Sequence, residues 1–354
     1  MADAAPLRVD TLDPTDARAA SEHDAFVRAR ADGTPFHLSA WARAIQRALG
    51  HRPHLLVARG AGGSIAGVLP LMHVRHPLFG QNLVSTGFAV YGGPLADGAQ
   101  VHAALDAAAW ALAQRLGVPS LEYRNQARLR PGWPAKSDVY ATFRRAIAPT
   151  AEANLKAIPR KQRADVRKAI DSALEVCIGA TPADLADHFA VYATSVRNLG
   201  TPVFPPALFR AVAAEFGPDA DVLTVRHEGR PVASVFSLYH GSTVLPYWGG
   251  GTAQAVPSRA NLMMYWALME HARQRGCTMF DFGRSKLGTG PYAFKKNWGF
   301  EPSPLHYEFR LAEGAAMPDL NPNSPKYRAM TKLWARLPLW LANRLGPLLA
   351  RGLG

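Results

Sequence analysis

Two spacings of apolar residues alternate along the chain. A short alternating run at Leu7–Val9 reads as a weak strand, and the residues from Thr15 into the twenties read as a helix. Phe36 to Leu49 has helical spacing, with Ser39 as a plausible N-cap and Gly50 as the stop. His54–Ala58 and Ser64–Met72 read as strands around the turn Gly60-Ala-Gly-Gly63. Val101, Leu105, Ala108 and Leu112 recur at helical spacing, Gly117 ends that helix, and strands follow at Ser120–Tyr123 and Val139–Phe143. After Pro149 the same kinds of element return. Helices are expected at Asp184–Val196 and Phe209–Phe216, and strands at Val222–His227, Pro231–Tyr239 and Val244–Trp248. A long helix over Asn261–Arg275 carries the apolar stripe Leu262, Trp266, Met269, and the strand Cys277–Phe282 comes next. The pattern predicts an α/β (α+β) chain of two lobes, residues 1–149 and 150–312, with a distinct tail over 313–354.

Composition changes this picture in two places. With 354 residues and 48% apolar content, each lobe can bury its own core. The balance of 40 basic against 27 acidic residues, +13, favours an anionic partner: phosphate, nucleic acid or a membrane surface. Cys177 and Cys277 are not spaced as a disulfide framework or zinc cluster, which fits a reducing compartment. The acidic N-terminus lacks a signal-like apolar run, and no stretch approaches the ~18 apolar residues of a spanning helix. A cytoplasmic location is therefore expected. The tail has its own chemistry: Leu320–Gly354 holds six basic residues, no acid, and interleaved Trp334, Leu337, Leu339, Trp340, Leu345 and Leu348. Peripheral contact with the inner membrane through 320–354 and packing on the second lobe are both open readings.

The segment Phe280–Phe300 carries the main candidate chemistry. A buried strand ends at Asp281, and a glycine-rich basic loop follows at its carboxyl end, where open α/β sheets bind ligands. Gly283, Gly288 and Gly290 allow close backbone approach to an anion, and Arg284, Lys286, Lys295 and Lys296 supply charge. A solvated basic hairpin is the plain alternative. Asp281 either holds the turn or acts on an amine as a base or positioning group. Tyr247-Trp-Gly-Gly-Gly251 allows a bulge or close ligand approach, and Ser258 or Asn261 offers a cap for the following helix. In Ile158–Lys168, Arg163 falls on the apolar side, between the directions of Ile170 and Leu174, so it needs a carboxylate or a bound anion. Arg197 and Asn198, at a helix end, reach either a substrate or only the helix dipole. The pairs His51/His54 and His73/His76 lack a nearby acidic ligand and point away from a metal site.

In combination, FDFGRSK, GTGPYAFKKNWGF, IPRKQR, SVRNLGTPVFP, LPYWGGG and NPNSPKY…LPLWLANRLGP resemble the FemAB-like family. Within it they are most similar to the branch associated with exosortase and PEP-CTERM sorting in exopolysaccharide-making bacteria. The resemblance spans about Phe36 to Gly354. It implies tandem acetyltransferase-like (GNAT-type) lobes with mixed sheets flanked by helices, and transfer of an acyl or aminoacyl group to an amine on an envelope glycan, a muropeptide or its nucleotide- or lipid-linked precursor. It also implies that Phe294-Lys295, before Trp298-Gly299, contacts substrate phosphates. The expected catalytic residues are Lys295 and Asp281. The expected substrate contacts are Phe294, Lys286, Arg284, Tyr292, Tyr247, Arg197, Asn198 and Arg163. No bound cofactor is expected. The donor is aminoacyl-tRNA or acyl-CoA, and it stays open because the usual acyl-CoA pyrophosphate signature is absent. The expected partner is a phosphate-bearing glycan or peptide precursor, not DNA. A non-catalytic envelope-assembly factor that keeps the fold and binds lipid-linked glycan is the competing reading.

Overall fold

The computed structural model describes residues 7–318 and 325–354. The expectation for the extreme N-terminus and the Asn321–Ser324 part of the tail motif lie outside the described residues, as do the side chains of Lys326 and Arg328.

The chain forms two compact units, the first from 1–138, 304–320 and 351–354, the second from 139–303 and 321–350. The first unit's sheet contains β1 (Arg8–Leu12), β2 (Arg52–Arg59), β3 (Ile65–His76), β4 (Gly80–Ser85), β5 (Leu95–Ala96), β6 (Ser120–Asn125) and β7 (Ala135–Lys136). The second contains β8 (Tyr140–Ala146), β9 (Glu175–Gly179), β10 (Ala220–His227), β11 (Arg230–His240), β12 (Thr243–Gly251), β13 (Met279–Asp281), β14 (Ser285–Lys286) and β15 (Pro302–Pro304). The last strand, β16 (His306–Leu311), returns to the first sheet.

The two sheets share one plan. The first runs β1-β2-β3-β4-β6-β16-β7 and the second β9-β10-β11-β12-β13-β8-β14. In each, one pair in the main order is parallel: β4 with β6 and β12 with β13. In each, the strand beyond that pair comes from the other half of the chain. Residues 140–146, expected in the first lobe, lie in the second sheet. Residues 306–311, expected in the second, lie in the first. Pairing with a distant strand leaves no mark in local apolar spacing.

The first unit carries α1 (Ala17–Arg28), α2 (Ser39–Leu49) and α3 (Ala99–Leu116). Gly50 and Gly117 end their helices in the left-handed conformation, which costs glycine no side-chain clash. Ser39 is not the cap: it is the first helical residue, and its N–H and hydroxyl both donate to Asp24. α3 buries Leu105, Ala109 and Leu112 against Leu56, Leu69, Leu83 and Leu121.

The second unit carries α4 (Ala151–Ala157), α5 (Arg160–Ile170), α6 (Pro182–Asn198), α7 (Pro206–Phe216), α8 (Ala260–Gln274), α9 (Gly290–Asn297), α10 (Pro325–Ala335) and α11 (Leu339–Ala350). Successive β11 residues face opposite helices. Val235 joins the cluster of Met264, Leu268 and Trp298, whereas Phe236 packs against His188 and Phe209 of α6 and α7. Thr181 and Asp184 form a reciprocal capping box that starts α6. The strand expected from Cys277 begins at Met279; Cys277 is buried between α8 and β13.

Candidate functional site

The parallel pair of the second sheet splays apart. β12 and β13 are in register only at Thr243/Met279 and Val244/Phe280. β13 ends at Asp281, while β12 continues to Gly251. Among the described residues no strand pairs with that edge of β12 beyond Val244. The gap leaves that edge of β12 without a neighbouring strand and faces it with the 282–290 loop, and such an edge suits an extended, amide-bearing ligand.

The first sheet has the same splay, and its own chain fills it. β4 and β6 pair only at Leu83/Leu121 and Val84/Glu122. The segment after β4 then crosses the gap: Gly92 N–H donates to Arg124 O at 3.0 Å, and the Arg124 guanidinium donates to Ala89 O at 2.7 Å. Adding a Cβ to Gly92 would put it 1.7 Å from Thr86 Oγ1. The open splay therefore belongs to the second unit.

Lys295 is the centre of the loop on that open side. α9 turns it inward, and its ammonium donates to the carbonyls of Phe282 (2.7 Å), Gly283 (3.0 Å) and Arg284 (3.2 Å). The rings of Phe143 and Phe282 lie 5.4 and 5.7 Å away. Burial pushes its pKa down to about 7, and the Asp281 carboxylate opposes that shift. Three carbonyl acceptors match the three N–H donors of the charged form. Asp281 is buried at the end of β13. It accepts from Gly283 N–H at 2.7 Å and Thr142 Oγ1 at 3.4 Å, and pairs with Arg144 at 3.3 Å. Both expected catalytic groups thus hold the loop that joins them.

The other expected contacts divide into two sets. Arg284 stacks over Tyr140 at 4.6 Å, and Lys286 sits in β14, its pKa lowered by desolvation. Tyr292 packs edge-on to Phe143 at 5.2 Å. Phe294 lies among Tyr265, Phe282 and Trp298, so its ring supports the core beneath the loop. Tyr247, on β12, is half-buried and lies edge-on to Trp248. These residues surround the splay and its loop.

No hydrogen bond or ion pair joins Arg163, Arg197 or Asn198 to them among the described residues. Arg163 donates to Ile158 O at 3.1 Å, so a backbone carbonyl meets it on the apolar side, where a carboxylate or an anion was expected. Arg197 donates to Ala335 O at 3.3 Å and so ties the end of α6 to α10. Asn198 is exposed at the end of α6.

The glycines of LPYWGGG serve helix packing. A Cβ on Gly249 would meet Tyr265 Oη at 3.0 Å, on Gly250 Ser195 Cβ at 2.5 Å, and on Gly251 Ala255 Cβ at 2.6 Å. Neither Ser258 nor Asn261 caps α8; Arg259, at φ +59°, holds that position, and Ser258 Oγ donates to Gln254 O. Tyr265 and Arg145 escaped the sequence reading. Tyr265 is half-buried beneath Phe282 and Phe294, and desolvation pushes its pKa up to about 12. Its place between Leu262 and Met269 on the helical stripe was the available signal. Arg145 donates to Trp298 O at 2.9 Å and stacks on Phe300 at 4.4 Å, fixing the turn after α9; nothing in its local sequence marks it.

Among the described residues no group of three or more His, Cys, Asp or Glu side chains is placed to share a metal ion. His51 Nε2 lies 2.7 Å from Arg351 O, and His73 Nε2 lies 3.1 Å from Gln81 Oε1.

Residues 160–296 match the family model described as an acetyltransferase (GNAT) domain. No curated protein matches the sequence. Among solved structures, FemX is similar at 15% identity and a TM-score of 0.68, covering 92% of this chain and all of that one. L-PGS from Bacillus licheniformis is similar at 14% identity and a TM-score of 0.55, over 90% and 97% of the two chains. A tandem GNAT protein from the clavulanic acid biosynthesis pathway is similar at 14% identity and a TM-score of 0.52, over 89% of this chain and all of that one. The fold is that of tandem GNAT-like lobes, each a mixed sheet flanked by helices.

Proposed function

We propose that the second unit is the transfer centre of an N-acyltransferase that places an acyl or aminoacyl group on an amine of a phosphate-bearing envelope precursor. The observation that carries this reading is the open splay between β12 and β13, which leads onto the basic 282–290 loop. An activated donor would lie along the edge of β12 that no described strand covers beyond Val244. The acceptor's anionic part would meet Arg284 and Lys286. The amine nitrogen attacks the donor carbonyl carbon to give a tetrahedral intermediate. The carbon–oxygen or carbon–sulfur bond then breaks, and the leaving atom takes the electron pair while the amine releases its proton. In this reading Lys295 and Asp281 are positioning residues: they hold the 282–290 loop, and with it Arg284 and Lys286, beside the developing negative charge.

The donor is an aminoacyl-tRNA or an acyl-CoA. The likeness to FemX and L-PGS supports the fold and leaves that choice to experiment. The link to an exosortase or PEP-CTERM system rests on the sequence motifs.

The test supplies labelled aminoacyl-tRNA or acyl-CoA with UDP- and lipid-linked amino sugars and muropeptides, and reads product mass. Arg284→Ala with Lys286→Ala is expected to lower transfer more than tenfold without loss of fold. Undiminished transfer by that pair would refute the assigned anion contacts. No transfer from any donor, with precursor binding retained, would favour the second reading: a non-catalytic factor binding lipid-linked glycan. That reading draws on one observation, that Lys295 and Asp281 are both engaged by their own loop.

A further inference from the structure

The last helix of the chain is packed with its small side inward and its bulky side outward. α11 buries Ala342, Gly346 and Ala350, positions i, i+4 and i+8 on one face. Gly346 allows this: a Cβ there would lie 2.9 Å from Val203 N and 3.0 Å from Val203 Cγ1. At about 100° per residue, Trp340, Arg344, Leu345 and Leu348 fall on the opposite arc. That arc is open: Trp340 is 68% exposed, Leu348 58% and Leu345 38%. α10 continues the pattern with Met330 at 55% and Leu333 at 68%. A helix that folds only to cover a core puts Leu and Trp inside and small or polar residues outside. Here the order is inverted, and scattered exposure of single leucines does not explain it.

The platform beneath these residues is fixed to the second unit. Leu339 packs against Ala193, Val196 and Val203. Arg197 donates to Ala335 O at 3.3 Å, and a Cβ on Gly200 would lie 2.4 Å from Thr331 O. The outward side chains are thus presented by a fixed surface, so little ordering opposes their binding to a partner.

We propose that the outer face of α10 and α11 is a docking surface for an anionic phospholipid bilayer. Charge selects this occupant. Lys332, Arg336 and Arg344 lie among the exposed apolar residues, and Leu320–Gly354 contains no acid. Basic residues amid Trp and Leu complement anionic headgroups over an acyl boundary. A second copy of the chain fits less well, because a two-fold contact through this face would bring the same cations together without acids to answer them. The helix lies in the interface and does not cross it. Its 12 residues extend ~18 Å, against a hydrocarbon core of ~30 Å. No helix among the described residues is long and apolar enough to cross a membrane. This inference is independent of the proposed chemistry, since docking requires neither donor nor acceptor.

The test is flotation of the full chain with vesicles of phosphatidylcholine alone and of phosphatidylcholine mixed with phosphatidylglycerol. Binding is expected only to the mixed vesicles and is expected to weaken with added salt. The double variant Trp340→Ser/Leu348→Ser alters outward side chains and should fold normally, as read by circular dichroism, while its partition coefficient falls at least tenfold. Lys332→Glu/Arg336→Glu/Arg344→Glu should abolish the preference for phosphatidylglycerol. Equal flotation of the wild type and the double variant would overturn the proposal, as would no binding to either vesicle. A wild type that sediments as a dimer and becomes monomeric in the double variant would also overturn it, by assigning the face to a second copy.

Discussion

Replacing Lys295 with methionine tests the electrostatics of the loop directly. In the folded protein the ammonium is buried, and its pKa is pushed from 10.5 down to about 7, desolvation outweighing the pull of Asp281. An unfolded chain returns the lysine to its ordinary value. Between about pH 7 and 10.5 the unfolded state therefore binds more protons than the folded state, and stability attributable to this group rises with pH. Below about pH 7 both states are protonated and the slope vanishes. The full span is ~3.5 units at ~1.4 kcal/mol each, or ~5 kcal/mol as an order of magnitude. Methionine has a similar length and no charge, so it removes this dependence while leaving the other titrating groups in place. Urea denaturation of both proteins from about pH 6 to about pH 10 isolates the effect as a difference. Wild-type stability relative to the variant should be flat up to neutrality and then climb by several kcal/mol. A pH-independent difference would refute a depressed lysine. A difference that falls with pH would mean that the three carbonyls raise the pKa instead.

Gly250→Ala should cost ~1–3 kcal/mol by overpacking, because the new Cβ would lie 2.5 Å from Ser195 Cβ. The combination with Ser195→Gly should recover most of that loss in thermal denaturation, and failure to recover would place the strain elsewhere. Arg145→Met removes the donor to Trp298 O and should destabilise the turn after α9 by ~2 kcal/mol, read as faster amide exchange at Trp298–Phe300. Gly299→Ala should be destabilising on two counts, its φ of +78° and a Cβ 3.0 Å from Pro159 Cδ, and a melting temperature equal to wild type would contradict both.

Much of the local structure was legible. Helix stops at Gly50 and Gly117, the paired strands Val222–His227 and Pro231–Tyr239, and the loop after Asp281 follow from spacing and turn chemistry. These properties are set by residues a few positions apart. The candidate site was legible as a place and less so as an arrangement. The position of Lys295 in the loop region was clear from sequence, while its three carbonyl partners depend on how α9 folds back over 282–284. The Gly249–Gly251 run announced a close approach without saying of what. The answer, Tyr265, Ser195 and Ala255, comes from segments both before and after it.

The sequence by itself determined the element types, the two-lobed plan, the basic glycine loop and the acid-free tail, because periodicity, turn residues and charge are local. Tertiary structure alone decided the exchange of β8 and β16 between the sheets, the filling of one splay and opening of the other, the diversion of Arg163 and Arg197 to backbone carbonyls, and the outward turn of Trp340 and Leu348. Each of these depends on which distant backbone comes within hydrogen-bonding or van der Waals distance, and apolar spacing within a segment does not encode that choice.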